Sequence, residues 1–124
     1  MENNLNDIRE WLVIVNPNAG KQKGKKDWKK IKKALKQEGF NYEAVFTEHR
    51  DHAVYIAENQ INKGYKKIIV VGGDGTLNEV VNGVFHQKRF PSHEILIGMI
   101  TLGTGNDWGR MYHIPVNYKK VEEL

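Results

Sequence analysis

No cysteine occurs among the 124 residues. That excludes disulfides and thiolate metal sites, and it agrees with a reducing compartment, so a cytoplasmic location is expected. The opening stretch MENNLNDIREW shows no basic region followed by an apolar one, so no signal peptide is expected. The longest apolar runs, KIIVV and ILIGMI, are far too short to cross a bilayer. Internal repeats are absent, and the only biased tract is one lysine-rich segment. Two familiar phosphate-binding patterns are missing as well. A P-loop requires G-x-x-x-x-G-K-[ST], but Gly20-Lys21 has Val15 at the first glycine position and is followed by Gln22. A dinucleotide fingerprint requires G-x-G-x-x-G, but GDGTLN has Asn78 and GTGNDW has Trp108 at the third glycine.

The length suits one domain, able to bury a core without staples. The balance of 40% hydrophobic and 27% charged residues is that of an ordinary soluble globular protein. The net charge of +4 is unevenly spread. Residues 21–36, KQKGKKDWKKIKKALK, carry nine lysines against one aspartate, so the remainder is net acidic. This basic element has three readings: a solvated helix face, attraction to anionic lipid headgroups, or nucleic acid. No aromatic stripe or helix-turn-helix pattern accompanies the charge, which argues against nucleic acid.

Periodicity predicts an alternating order of elements. WLVIVN, Trp11 to Asn16, reads as a buried strand ended by Pro17. PNAGKQKG reads as turn chemistry, and a helix is predicted from Lys25 to Glu38 on the spacing of Trp28, Ile31 and Leu35. NYEAVFTE, Asn41 to Glu48, is a second strand. Ala53, Ile56, Ala57 and Ile61 then define one face of a second helix ending at Gly64. A third strand covers Lys66 to Val71, and Leu77, Val80, Val81 and Val84 mark a third helix. Glu94 to Ile100 is a fourth strand, and TLGTGNDWGR is expected to open a short helix. The order β-α-β-α-β-α-β-α predicts an α/β fold: a three-layer α/β/α arrangement on a mostly parallel, Rossmann-like sheet with right-handed crossovers. Ligands of such sheets sit beyond the carboxyl ends of the strands, where NPNAG, TEHRDHA, GGDGT and LGTGND all fall.

The chemistry of these loops points to phosphate. In GGDGT, glycines bring backbone amides close to a ligand, and successive amides can form an anion-binding nest. Thr76 followed by Glu79 has capping-box spacing and predicts a helix start, which itself favours negative charge. Asp74 would repel a bare phosphate, but not one neutralised by Mg²⁺. An ordinary βα turn explains the same glycines. LGTGND offers Thr104 as a phosphate donor and Asp107 as a partner of Asp74 in a metal-water network; alone, Asp107 reads better as a helix cap. NPNAG offers Asn16 and backbone amides, yet alone it is a turn. Thr47 is also explained by β propensity. His49 and His52 match no metal-ligand spacing and read as surface or capping residues.

Taken together, VIVNPNAGK, TEHRDHA, VVGGDGTLNEVVNG and GTGNDWGR make the chain resemble the N-terminal catalytic domain of the diacylglycerol kinase family. Within that family it resembles the soluble bacterial diacylglycerol and lipid kinases, relatives of sphingosine kinases. GGDGT alone would also suit NAD kinases or phosphofructokinase-like enzymes; NEVVNG and TLGTGNDWGR favour the lipid branch. The resemblance implies transfer of the γ-phosphoryl of ATP to a lipid hydroxyl such as that of diacylglycerol, in phospholipid metabolism. It implies a nucleotide site at Asn16, Pro17, Asn18, Ala19 and Gly20, at Thr47, at Gly73, Asp74, Gly75, Thr76, Leu77, Asn78 and Glu79, and at Thr104. It places Asp74 and Asp107 in a water-mediated Mg²⁺ network, Asp74 being the catalytic candidate. The partners implied are ATP, a lipid acceptor and an anionic membrane surface, with no nucleic acid. One departure is Thr101, where the family commonly has proline. The family continues into a second, mostly β domain that completes the lipid cleft and carries a proposed general base. Residues 1–124 are therefore expected to be a nucleotide-binding fragment that is inactive alone. An NAD kinase-like enzyme with a soluble acceptor and a non-catalytic nucleotide-binding module are the competing expectations.

Overall fold

The computed structural model describes residues 9–101 and a strand at 112–115. The elements run β1 (Trp11–Val15), α1 (Ala19–Gln37), β2 (Tyr42–Phe46), α2 (His52–Lys63), β3 (Lys67–Gly72), α3 (Asp74–His86), a 3-10 turn (Ser92–Glu94), β4 (Leu96–Thr101) and β5 (Tyr112–Pro115). The sheet order is β2-β1-β3-β4-β5. The first four strands are parallel, and β5 pairs antiparallel with β4. The result is the expected mixed α/β architecture, with one antiparallel edge strand that the sequence pattern did not reveal.

The side-chain alternation of the strands builds two cores. Leu12, Ile14, Ile68, Val70, Ile97 and Met99 face α2 and α3. Val13, Val15, Ile69, Val71 and Ile100 face Ile31 and Leu35 of α1. Strands covered on both faces need unbroken apolar runs, which is why WLVIV and KIIVV carry no polar alternation. The four apolar residues expected on each of α2 and α3 are all buried. On α1, by contrast, Lys25, Lys26, Lys29, Lys30, Lys32, Lys33 and Lys36 all remain exposed.

Two helix starts differ from expectation. Helix α1 begins at Ala19 rather than Lys25, because the turn is completed earlier. The Asn18 amide donates to Asn16 Oδ1 at 3.0 Å, an Asx-type turn that launches the helix, and the following Lys- and Gln-rich run absorbs Gly20 and Gly24. Helix α3 begins at Asp74 with Gly73 as its N-cap, so Thr76 lies inside the first turn and no capping box forms. The side chains of Thr76 and Glu79 turn to neighbouring elements instead.

The pair α2 and α3 pack closely because of Gly83. A Cβ placed there would lie 2.5 Å from the Val54 carbonyl oxygen and 2.7 Å from Ala57 Cβ. The first neighbour is backbone and cannot step aside. Helix propensity alone would make Gly83→Ala stabilising by about 1 kcal/mol. The contact reverses that sign, and a loss of about 1–3 kcal/mol is expected from chemical denaturation. A more stable Gly83→Ala would show that the helices are not held this closely.

At the opposite end of the sheet, the buried Tyr65 hydroxyl donates to Glu43 Oε1 at 2.9 Å and accepts the Arg9 amide at 3.1 Å. Burial first, and then the carboxylate beside it, raise its pKa above the ordinary value of 10.0. A raised pKa favours the protonated, folded form. The contribution is therefore complete below about pH 10 and is lost as pH climbs from there through the folded-state value. Tyr65→Phe should cost about 1 kcal/mol at neutral pH. It should also remove this part of the alkaline decline, as read from unfolding midpoints against pH.

Candidate functional site

Strand β1 leads through α1 to β2 on one side, while β3 leads through α3 to β4 on the other. The two loops leaving β1 and β3 therefore diverge although their strands are paired. Such a reversal opens a crevice at the carboxyl edge of a parallel sheet. A cleft of about 290 Å³ lies there. It is lined by Asn16 and Asn18 after β1, by Thr47, His49 and Arg50 after β2, and by Thr76 and Glu79 of α3.

Backbone pairing continues past the strand ends and locks these loops together. The Thr47 amide donates to the Val15 carbonyl at 2.8 Å, and the Asn16 amide to the Val71 carbonyl at 2.9 Å. Asn16 Nδ2 then donates to Thr76 Oγ1 at 3.1 Å, tying the β1 loop to α3. With its Oδ1 accepting from Asn18, the Asn16 side chain is used at both ends. Thr76 is buried, and its hydroxyl crowds Gly72: a Cβ on Gly72 would lie 2.8 Å from Oγ1. Glycine at 72 is thus required by packing.

Gly73 and Gly75 are different. A Cβ at either would meet nothing within 4 Å, and neither has a positive φ. The fold does not need glycine there, so their effect is to leave the backbone bare. The α3 ladder opens with the Leu77 amide on the Gly73 carbonyl, which places the amides of Asp74, Gly75 and Thr76 ahead of it. Among the described residues no side chain caps this end. The N-terminus of α1 likewise has no side-chain cap from Asn18. Unfilled helix N-termini carry partial positive charge and suit anions. Asp74 stands exposed at the head of α3, and no hydrogen bond or ion pair engages its carboxylate among the described residues.

Of the residues singled out from the sequence, the fold brings Asn16, Asn18, Thr47, Thr76 and Glu79 to the cleft. Gly73, Asp74 and Gly75 form the adjoining head of α3. Pro17 and Ala19 are half-buried in the turn into α1, whose first turn includes Gly20. Asn78 is exposed on α3, whereas the Leu77 side chain belongs to the core and its amide is used within the helix. Thr104 and Asp107 lie outside the described residues. His52 serves as a local acceptor: its Nδ1 takes the Glu48 amide at 2.9 Å, and its ring stacks on His49 with centroids 4.4 Å apart. Arg50 was not singled out, since one arginine in a loop reads as surface; its position directly beyond a strand's carboxyl end was the available signal. Among the described residues no group of three His, Asp or Glu side chains is placed to hold a metal.

Comparison with known proteins bears on this geometry. The diacylglycerol kinase catalytic domain matches residues 10–124. A diacylglycerol kinase of Staphylococcus carnosus is 35% identical over 112 residues, covering 90% of this chain and 35% of its own length. One from Staphylococcus haemolyticus is 40% identical over 103 residues, covering 83% and 30%. A crystal structure of a diacylglycerol kinase from Bacillus anthracis superposes with a TM-score of 0.61 at 30% identity, covering 80% of this chain and 32% of that one. The chain thus spans about a third of the length of the relatives it matches. By the family match and by its fold, the chain belongs to the diacylglycerol kinase catalytic domain family.

Proposed function

We propose that the cleft takes the polyphosphate tail of ATP, and that the full-length protein transfers the terminal phosphoryl group to the hydroxyl of a lipid such as diacylglycerol. The observation that supports this best is the bare head of α3. Glycines 73 and 75 leave its amides open where packing does not demand glycine, directly beside the cleft. Phosphoryl transfer depends mainly on positioning and on neutralising charge, which backbone donors can supply without reacting. On this reading the segments Asn16 to Gly20, Thr47 and Gly73 to Asn78 surround the nucleotide, with Glu79 in the cleft wall and Thr104 beyond the described residues. Magnesium typically needs only one or two protein carboxylates besides phosphate oxygens and water. Asp74, exposed and unengaged among the described residues, fits that modest demand, with Asp107 as the proposed second carboxylate. The metal would supply neutralisation of the transferring phosphates. The exposed lysines of α1 suit contact with an anionic, cytoplasmic membrane surface, which would weaken as salt rises.

Calorimetric titration tests the site. The chain should bind ATP more tightly with Mg²⁺ than without. Asp74→Asn should weaken the Mg²⁺-dependent binding about tenfold, the scale of one charge-assisted contact, and tighten binding without metal slightly, because the repulsion of bare phosphate is removed. Equal affinities with and without the carboxylate would overturn its assignment. For the reaction, residues 1–124 alone should form no phosphorylated lipid from diacylglycerol micelles and ATP, while a full-length relative does. Turnover by the short chain would mean that these residues already hold the acceptor site; a response to NAD in place of lipid would move the protein to the soluble-acceptor kinases.

A further inference from the structure

Glu79 lines the cleft, yet its carboxylate is already engaged. Oε2 accepts the Asp51 amide and Oε1 the Ala53 amide, both at 3.2 Å. These are the cap and first-turn donors of α2. Helix α2 has an aspartate at its own N-cap position, but Asp51 sits in the left-handed region at φ 68° and makes no side-chain cap. A non-glycine residue in that conformation is strained, so something must hold the turn. Glu79 is in position to do so. It lies four residues before Gly83 on the same face of α3, and Gly83 is what lets α3 approach α2.

We infer that Glu79 is a positioning residue: its carboxylate caps α2 from outside and fixes the β2–α2 turn, setting Thr47, His49 and Arg50 around the cleft, and it does not itself take the nucleotide or its metal. The turn is short, and its ends are pinned by Thr47 on Val15 and by Glu48 on His52. Loss of the cap between those pins therefore moves the side chains that line the cleft. The same bonds occupy the negative charge of Glu79 with the positive end of α2, so the cleft wall it forms does not repel an anion. The part of the inference concerning ligand affinity rests on the ATP reading of the cleft; the cap itself does not.

Amide hydrogen exchange on the unliganded chain, paired with ATP titration, tests both parts. In Glu79→Ala, exchange at Asp51 and Ala53 should quicken about fivefold or more, the scale of losing a cap, with β3 amides unchanged. Glu79→Gln keeps one acceptor and should fall between. ATP affinity should decline in the same order, by the same factor with and without Mg²⁺. Unchanged exchange at those two amides overturns the cap. A loss of affinity confined to the Mg²⁺ titration overturns the positioning role in favour of direct metal ligation. A wild-type chain that binds no ATP at all would remove the nucleotide reading and the affinity claim with it, while the exchange rates would still decide the cap.

Discussion

The parallel pairing of β1 with β3 governs the carboxyl edge of this sheet. Val15 and Val71 stand opposite one another, and the chain leaves those positions in opposite directions, to α1 on one face and α3 on the other. Without that adjacency the NPNAG and GGDGT loops would be separate turns with no common cleft. With it, Asn16 can bond the buried Thr76 across the gap, and the Asn16 amide can extend the ladder to Val71. The apolar strand residues are therefore as important to the site as the polar ones. They bury on both faces and fix a register, and a parallel register carried one residue further brings the two loops into contact.

Three helices start at this edge, and their N-termini are treated differently. Among the described residues no charged side chain caps those of α1 and α3, while that of α2 is filled by Glu79. The difference has a simple physical consequence. An anion arriving at the cleft meets the open end of α3, the end of α1 whose Asn18 and Ala19 amides are held by neutral Asn16 oxygens, and the end of α2 already neutralised by a carboxylate. The attraction is thus directed towards the β1–β3 crevice and away from the β2–α2 turn, whose part is to supply Thr47, His49 and Arg50 as a wall. The three glycines of the loop divide in the same way: Gly72 makes room for Thr76, and Gly73 and Gly75 expose backbone.

Much of this was legible in the sequence, for identifiable reasons. Ala53, Ile56, Ala57 and Ile61 on α2, and Leu77, Val80, Val81 and Val84 on α3, obey a helical period that admits little else, and all are buried. The gathering of the loops at one edge followed from strand–helix alternation. What escaped were features set by contacts distant along the chain. The spacing of Thr76 and Glu79 is that of a local capping box, but Asn16 lies 60 residues from Thr76 and Asp51 lies 28 residues from Glu79, and these distant partners won. The start of α1 was misjudged because Gly20 and Gly24 suggest a loop, whereas the Asn16–Asn18 turn begins the helix before them. The antiparallel β5 follows a glycine-rich stretch without helical periodicity, so nothing local announced its pairing with β4.

Asp74 and Glu79 are carboxylates five residues apart on one helix, and their surroundings divide their work. Glu79 is half-buried and held by two amides, so its charge is spent inside the protein. Asp74 is exposed and unengaged among the described residues, at the N-terminus of α3. A bare polyphosphate would be drawn to the α3 amides and repelled by Asp74 at the same place. A divalent cation reverses the second effect without touching the first. On the proposed reading, metal dependence should therefore reside in Asp74 and not in Glu79, and Glu79 should influence the nucleotide only through the shape of the turn it caps. The same sequence motif would then contain one group that acts on the ligand's charge and one that acts on the protein's geometry.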